Sequence, residues 1–156
     1  MASLGDLIIR LCNVAFGSIE SMRRWLGRPR VETIATGELC RILAMGDQSM
    51  VLLDVRSKSE QAVSKIPGAI TQQEYEVDPA SFANKNFVVY CTVGGRSYLY
   101  ARKLVAADVD AKNYRDGILG WCRAELPLET PDGRSTNAVN PYWRIFRVPR
   151  QYEVKV

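Results

Sequence analysis

Residues 51–55 read Val-Leu-Leu-Asp-Val, apolar at every position except Asp54. A strand with one wet face would alternate apolar and polar side chains. This one does not, so it is expected to be buried on both faces, which requires covering layers above and below it. The rest of the chain supplies those layers. Val31 to Ile34 reads as a short strand, and residues 37–45 as a helix ended by Gly46. Ser57-Lys58-Ser59-Glu60 matches a capping box, so a short helix follows the buried strand at once. Residues 66–70 form a turn feeding another short strand. A strand over Phe87 to Tyr90 leads to a helix over Ser97 to Ala107, and a strand at 112–115 leads to a helix at 117–124. Strands alternating with helices predict an α/β fold with a central, mostly parallel sheet and helices on both faces.

The chain has 156 residues, 47% of them apolar, enough for a core that needs no disulfide staples. Its net charge of +4 is uneven. Residues 1–30 carry five basic and two acidic side chains, as do residues 131–156, whereas residues 31–130 carry eleven basic and thirteen acidic. Three parts follow: an N-terminal amphipathic helix and basic linker (1–30), a central domain (31–130), and a basic, aromatic C-terminal extension (131–156).

Leu4, Leu7, Ile8, Leu11, Ala15, Ile19, Met22 and Leu26 form one stripe at steps of mostly three and four. A helix packed by that stripe on the body or on a second copy is the leading expectation. A peripheral membrane contact helped by Arg23, Arg24, Arg28 and Arg30 is the second, and a cleaved targeting segment the third. In the extension, Tyr142, Trp143, Arg144, Phe146, Arg147, Arg150 and Tyr152 interleave aromatic and basic side chains. That pattern fits RNA, but a segment folded back over its own domain is favoured, so nucleic acid is not an expected partner.

Cys12, Cys40, Cys91 and Cys122 stand alone, without a C-x-x-C pair, which suits thiols in a reducing, cytoplasmic compartment. The chain has no histidine. A Cys-His dyad, a Ser-His-Asp triad and a His-containing metal site are therefore excluded within it. Yet Cys91 ends a strand and is followed by Thr92, Val93, Gly94, Gly95, Arg96 and Ser97. In a parallel sheet, ligands bind beyond the carboxyl ends of strands. The two glycines let the backbone curl tightly, and the amides of such a turn, the helix start and Arg96 would favour a Cys91 thiolate. Taken alone, the pattern fits a buried structural cysteine before a glycine turn equally well.

Three blocks together carry more. Tyr90-Cys91-Thr92-Val93-Gly94-Gly95-Arg96-Ser97 resembles the Y-C-x-x-G-x-R-S active-site loop of rhodanese-like sulfurtransferases. LLDVR at 52–56, with Glu60 and IPGAI at 66–70, resembles that family's first block, and residues 114–128 its closing block. The order is right, and the three span roughly residues 31–130. Ser64-Lys65, Asp116 and Glu125 depart from the family's usual residues, and the loop at 92–95 is uncharged where some members carry a basic residue. The four residues between Cys91 and Arg96 differ from the five of related cysteine phosphatases, which argues against phosphatase chemistry.

The resemblance implies a rhodanese-like fold and a thiosulfate:cyanide sulfurtransferase-like activity. A sulfane sulfur would pass from thiosulfate or a persulfide, on a small molecule or a protein, to a thiophilic acceptor. Cys91 would carry it as a persulfide, with no other cofactor and no metal. Arg96 would brace the loop and pair with Asp54 or an anionic donor. Thr92, Val93, Gly94, Gly95 and Ser97 would cradle the persulfide. Asp54 and Arg56 are expected to support the loop as an ion pair, and Trp121 to pack beneath the site. The alternative is a non-catalytic binding or regulatory module on the same fold; such members usually lack the cysteine.

Overall fold

The computed structural model describes residues 4–156, so the first three residues of the N-terminal segment lie outside the described part. The chain begins with helix α1 (Leu4–Trp25), followed by β1 (Glu32–Ile34), α2 (Thr36–Ala44), β2 (Met50–Asp54) and α3 (Lys58–Val63). Then come β3 (Ile70–Thr71), α4 (Gln72–Val77), a 3-10 turn (Pro79–Phe82), β4 (Asn86–Tyr90) and α5 (Gly95–Ala106). β5 (Ala111–Tyr114) and α6 (Gly117–Arg123) close the central part. β1, β5, β4, β2 and β3 lie in that order in one sheet, and every pairing is parallel. Among the described residues no helix is long and apolar enough to cross a membrane.

β4 shows why the sheet needs two covers. Successive side chains point to opposite faces. Val88 and Tyr90 join Leu39, Ile118 and Trp121 in one cluster, whereas Phe87, Val89 and Cys91 join Tyr98, Ala101 and Leu104 in the other. One face is thus filled from α2 and α6, the other from α5. Burying one leucine-sized side chain contributes about 1.5–3 kcal/mol.

The capping box at Ser57 forms: its hydroxyl accepts from the Glu60 amide while the Glu60 carboxylate accepts from the Ser57 amide. A second box at Thr71 and Glu74 starts α4, a helix beyond those expected from the sequence. Six residues are too few to display an apolar period, so only the cap marks that helix.

α1 forms as a helix, but its contacts show that the stripe as a whole does not pack on the body. Leu4, Leu7, Leu11 and Met22 of the apolar stripe are all more than half exposed. The helix instead turns Gly5, Ile8, Cys12, Phe16 and Glu20 inward. A Cβ on Gly5 would stand 2.9 Å from the Ile145 carbonyl oxygen, the Phe16 ring lies 4.5 Å from that of Tyr98, and the Tyr98 hydroxyl donates to Glu20 at 2.5 Å. Close approach and one hydrogen bond chose the face, and hydrophobic count did not.

Beyond α6, β6 (Leu128–Glu129) pairs with β7 (Ser135–Thr136), and β8 (Ala138–Val139) with β9 (Glu153–Val154). Phe146 and Tyr152 are buried, and the Tyr152 hydroxyl donates to the Leu126 carbonyl at 2.6 Å. The C-terminal segment therefore packs on the central part.

Candidate active site

β2 connects outward to β3, whereas β4 connects the other way to β5. Connections leaving in opposite directions open a crevice at the carboxyl ends of the two strands. The loops after β2 and β4 meet there. Cys91 follows the last residue of β4 and is 1% exposed. Gly94 turns the loop with φ 87°, a left-handed conformation, and precedes α5 as its N-cap. A Cβ there would lie 2.2 Å from the Arg115 carbonyl oxygen. Gly95 has no such constraint: nothing approaches its Cβ position closer than the Phe16 ring at 3.8 Å. α6 holds the loop from below, with the Ile118 amide donating to the Cys91 carbonyl at 2.9 Å and the Leu119 amide to that of Thr92 at 3.2 Å.

The Ser97 hydroxyl lies 3.5 Å from the Cys91 sulfur and 2.7 Å from Asn113 Oδ1. Its single proton serves one of the two at a time. The amides of Gly95, Arg96 and Ser97 open α5, and first-turn amides have no acceptor within their own helix.

Arg96 does not pair with Asp54, as the sequence suggested. Its guanidinium grips Glu60 in a two-pronged pair, Nη1 to Oε2 and Nη2 to Oε1, each at 2.8 Å. Nη2 also donates to Thr92 Oγ1 at 2.8 Å, and that hydroxyl donates to Glu60 at 2.5 Å. The cause is geometric. Both Asp54 oxygens are occupied by Arg56 and Tyr90, whereas α3 carries Glu60 across the crevice toward the loop. Glu60 is the site residue that sequence reading missed. It was visible as the third helical position of the capping box and as part of the family's first block, but neither signal gives it a contact with the Cys91 loop.

Burial pushes the Glu60 carboxyl up, but hydrogen bonds from Arg96, Thr92 and Ser57 outweigh that and bring it from 4.5 to about 2. A carboxylate lowered on folding contributes stability above its unfolded value, and that contribution vanishes as pH falls through the folded one. Acid titration of stability should therefore be less steep in Glu60→Gln than in the native protein between pH 4.5 and about 2. Equal slopes would show that the Arg96 pair does not form in solution.

Asp54 and Arg56 form an enclosed pair, Nη2 to Oδ2 at 2.7 Å, with both side chains 0% exposed. The Tyr90 hydroxyl donates to Asp54 Oδ2 at 2.7 Å and accepts from the Ile66 amide at 3.1 Å. Burial alone would lower the Arg56 pKa; the Asp54 charge reverses this and raises it. This cluster ties β2, β4 and the Ser64–Ile66 turn together through side chains enclosed from solvent. Trp121 is buried on α6, the helix beneath the loop. It belongs to the cluster opposite Cys91, and its indole donates to the Pro127 carbonyl at 2.7 Å.

All four cysteines are free. Burial pushes the Cys122 thiol up to about 12, which leaves it a poor nucleophile. Val93 is half-buried at the loop's crest, and the Tyr142 ring stacks on the Arg96 guanidinium at 4.8 Å. The C-terminal segment thus touches the loop's anchoring residue.

This geometry has relatives. Residues 41–124 match the family described as Rhodanese-like domain. A sulfurtransferase of Allochromatium vinosum is 31% identical over 91 residues, covering 55% of this chain and 84% of that protein. A thiosulfate sulfurtransferase structure from Pseudomonas aeruginosa is similar at TM-score 0.59 and 26% identity, covering 77% of this chain and 23% of that longer one. A Bacillus halodurans structure shares the fold at TM-score 0.56 and 19% identity, covering 72% of this chain and 86% of its own. With its three sequence blocks gathered around one crevice and more than half its length matched, the chain belongs to the rhodanese-like domain family.

Proposed function

We propose that this protein is a sulfurtransferase that moves a sulfane sulfur from thiosulfate or a persulfide to a thiophilic acceptor through a Cys91 persulfide. The observation that carries the reading is the position of the Cys91 thiol, at the floor of a short glycine-turned loop in the crevice between β2 and β4. The family membership and the sulfurtransferase relative support the same role at the coarser level.

In the first step the Cys91 thiolate attacks the outer sulfur of thiosulfate. The new S–S bond forms, the old one breaks, and sulfite leaves with the bonding pair. In the second, cyanide or a thiolate attacks the terminal sulfur and leaves as thiocyanate or a persulfide, returning the Cys91 thiolate. The sulfur rides on the cysteine, so the chemistry calls for no further cofactor. The Ser97 hydroxyl is within reach to donate to a charged sulfur, and the free amides at the start of α5 offer fixed dipoles to the persulfide. Arg96, held by Glu60, keeps the loop curled rather than attacking anything itself. The loop between Cys91 and Arg96 has no charge, so the donor is recognised by shape and backbone.

Intact-mass measurement tests this. The full chain should gain one sulfur on incubation with thiosulfate or a small persulfide, cyanide should remove it as thiocyanate, and Cys91→Ala should gain none. If no donor loads Cys91, the enzyme reading fails and a non-catalytic binding module on this fold replaces it.

A further inference from the structure

The outward face of α1, a helix about 33 Å long, carries two apolar groups, Leu4 to Val14 and Met22 to Trp25, with the exposed Ser18 between them. Leu7, Leu11, Val14, Met22 and Trp25 are 52–84% exposed. Few side chains of this kind stand in water in a series without a partner. The charges beside them are sorted by sign. The two acids of α1 face the body: Asp6 pairs with Arg123 at 2.6 Å, and Glu20 accepts from Tyr98. Arg10, Arg24, Arg28 and Arg30 are exposed.

At the Trp25 end the same sign continues onto α5. A groove of about 510 Å³ runs between the two helices, lined by Arg23, Arg28, Arg102 and Lys103 with Leu99 and Pro29, and by no acidic residue among those described. Arg23 is already held by Glu20 at 3.7 Å and by the Pro29 carbonyl at 3.0 Å, which leaves Arg28, Arg102 and Lys103 as the groove's available cations.

We propose that α1 is an interfacial helix that seats this protein on an anionic phospholipid surface. Its leucine stripe enters the acyl boundary, and Arg28, Arg102 and Lys103 of the groove receive a lipid phosphate. An apolar helical face flanked only by cations is what such a surface binds. A second copy of the chain fits less well. A two-fold contact repeats each residue across the axis, so Arg10, Arg24 and Arg28 would face a like-charged patch with no acid to answer them. Trp25, the most exposed large apolar side chain among the described residues, sits beside the arginines, where an amphipathic ring suits the headgroup level. The fold itself does not depend on the stripe, since α1 holds to the body through Gly5, Phe16 and Glu20.

Sedimentation of the purified full chain with vesicles decides it. Vesicles of phosphatidylcholine with about one third phosphatidylglycerol should bind the protein, and pure phosphatidylcholine should not. Leu7→Glu with Leu11→Glu should cut binding by at least about tenfold. Arg28→Ala or Arg102→Ala should cut it about fivefold each. Circular dichroism should remain native in all of them. No binding to anionic vesicles, or equal binding by these variants, overturns the proposal. So does dimerisation in solution that the double glutamate variant abolishes, which would assign the stripe to a second copy.

Discussion

Asp54→Ala should destabilise the protein by about 3–5 kcal/mol, a large share of the roughly 5–15 kcal/mol that holds a domain of this size together. The cost is mainly electrostatic. Arg56 is fully enclosed, and Asp54 accepts from its backbone amide at 2.9 Å, from Nε at 3.1 Å and from Nη2 at 2.7 Å. Removing the carboxylate leaves a buried guanidinium with only the Ser64 carbonyl, at 2.5 Å, and a Tyr90 hydroxyl whose proton has lost its acceptor. Asp54→Asn should recover little, because its amide N–H₂ brings donors to face the donors of Arg56 and Tyr90. The informative variant is the double replacement Asp54→Leu with Arg56→Met. Taking both charges away should cost less than removing Asp54 alone, since no charge is stranded. Urea unfolding of the native protein, Asp54→Leu, Arg56→Met and the double variant measures this. A double variant as unstable as the sum of its single changes would mean that the two side chains do not act as a pair.

Gly117→Ala should cost about 3 kcal/mol and misplace the Cys91 loop. The residue has φ 58°, which disfavours a side chain by about 1–2 kcal/mol. Its Cβ would also lie 2.4 Å from the Thr92 carbonyl oxygen and 2.6 Å from that of Cys91, rigid backbone that must move, adding about 1–3 kcal/mol. The displaced carbonyls are those to which α6 donates, so the amides of Ile118 and Leu119 lose their partners as well. Gly94→Ala should behave alike, with its Cβ meeting the Arg115 backbone at 2.2–2.8 Å. Gly95→Ala is the control. It is the first residue of α5, its Cβ would make only ordinary contact with Phe16, and alanine is the better helix former. Its unfolding midpoint should equal or exceed the native one, and Cys91 should still take up sulfur from thiosulfate. A Gly117 variant that keeps native stability would refute the tight seat beneath the loop.

The two neighbouring glycines show how far a sequence can be read. Both Gly94 and Gly95 were expected to let the loop curl. Only Gly94 has the left-handed backbone and the crowding that exclude other residues. The crowding comes from Arg115, twenty-one positions later in the chain, which no local pattern displays. Glu60 is a similar case. Its box with Ser57 is a property of four consecutive residues and was legible, whereas its grip on Arg96 spans thirty-six positions. Asp54, at the end of the neighbouring strand, was the carboxylate the sequence offered to Arg96.

What the sequence by itself determined rests on short-range chemistry. The unbroken apolar run at β2 demanded two covering layers, the alternation of strands and helices demanded a parallel sheet, and a cysteine at a strand end before a glycine turn marked the crevice. Backbone sterics and hydrophobic period act over a few residues, so they are written locally. Only the tertiary structure decided which carboxylate holds Arg96, which side of the sheet takes Trp121, and which face α1 turns inward. Those choices were settled by strand register and by close approach between segments far apart in the chain. The register pairs Asp54 with Tyr90 and leaves Glu60 for the loop. The packing of Gly5 and Phe16 leaves the leucines of α1 facing outward.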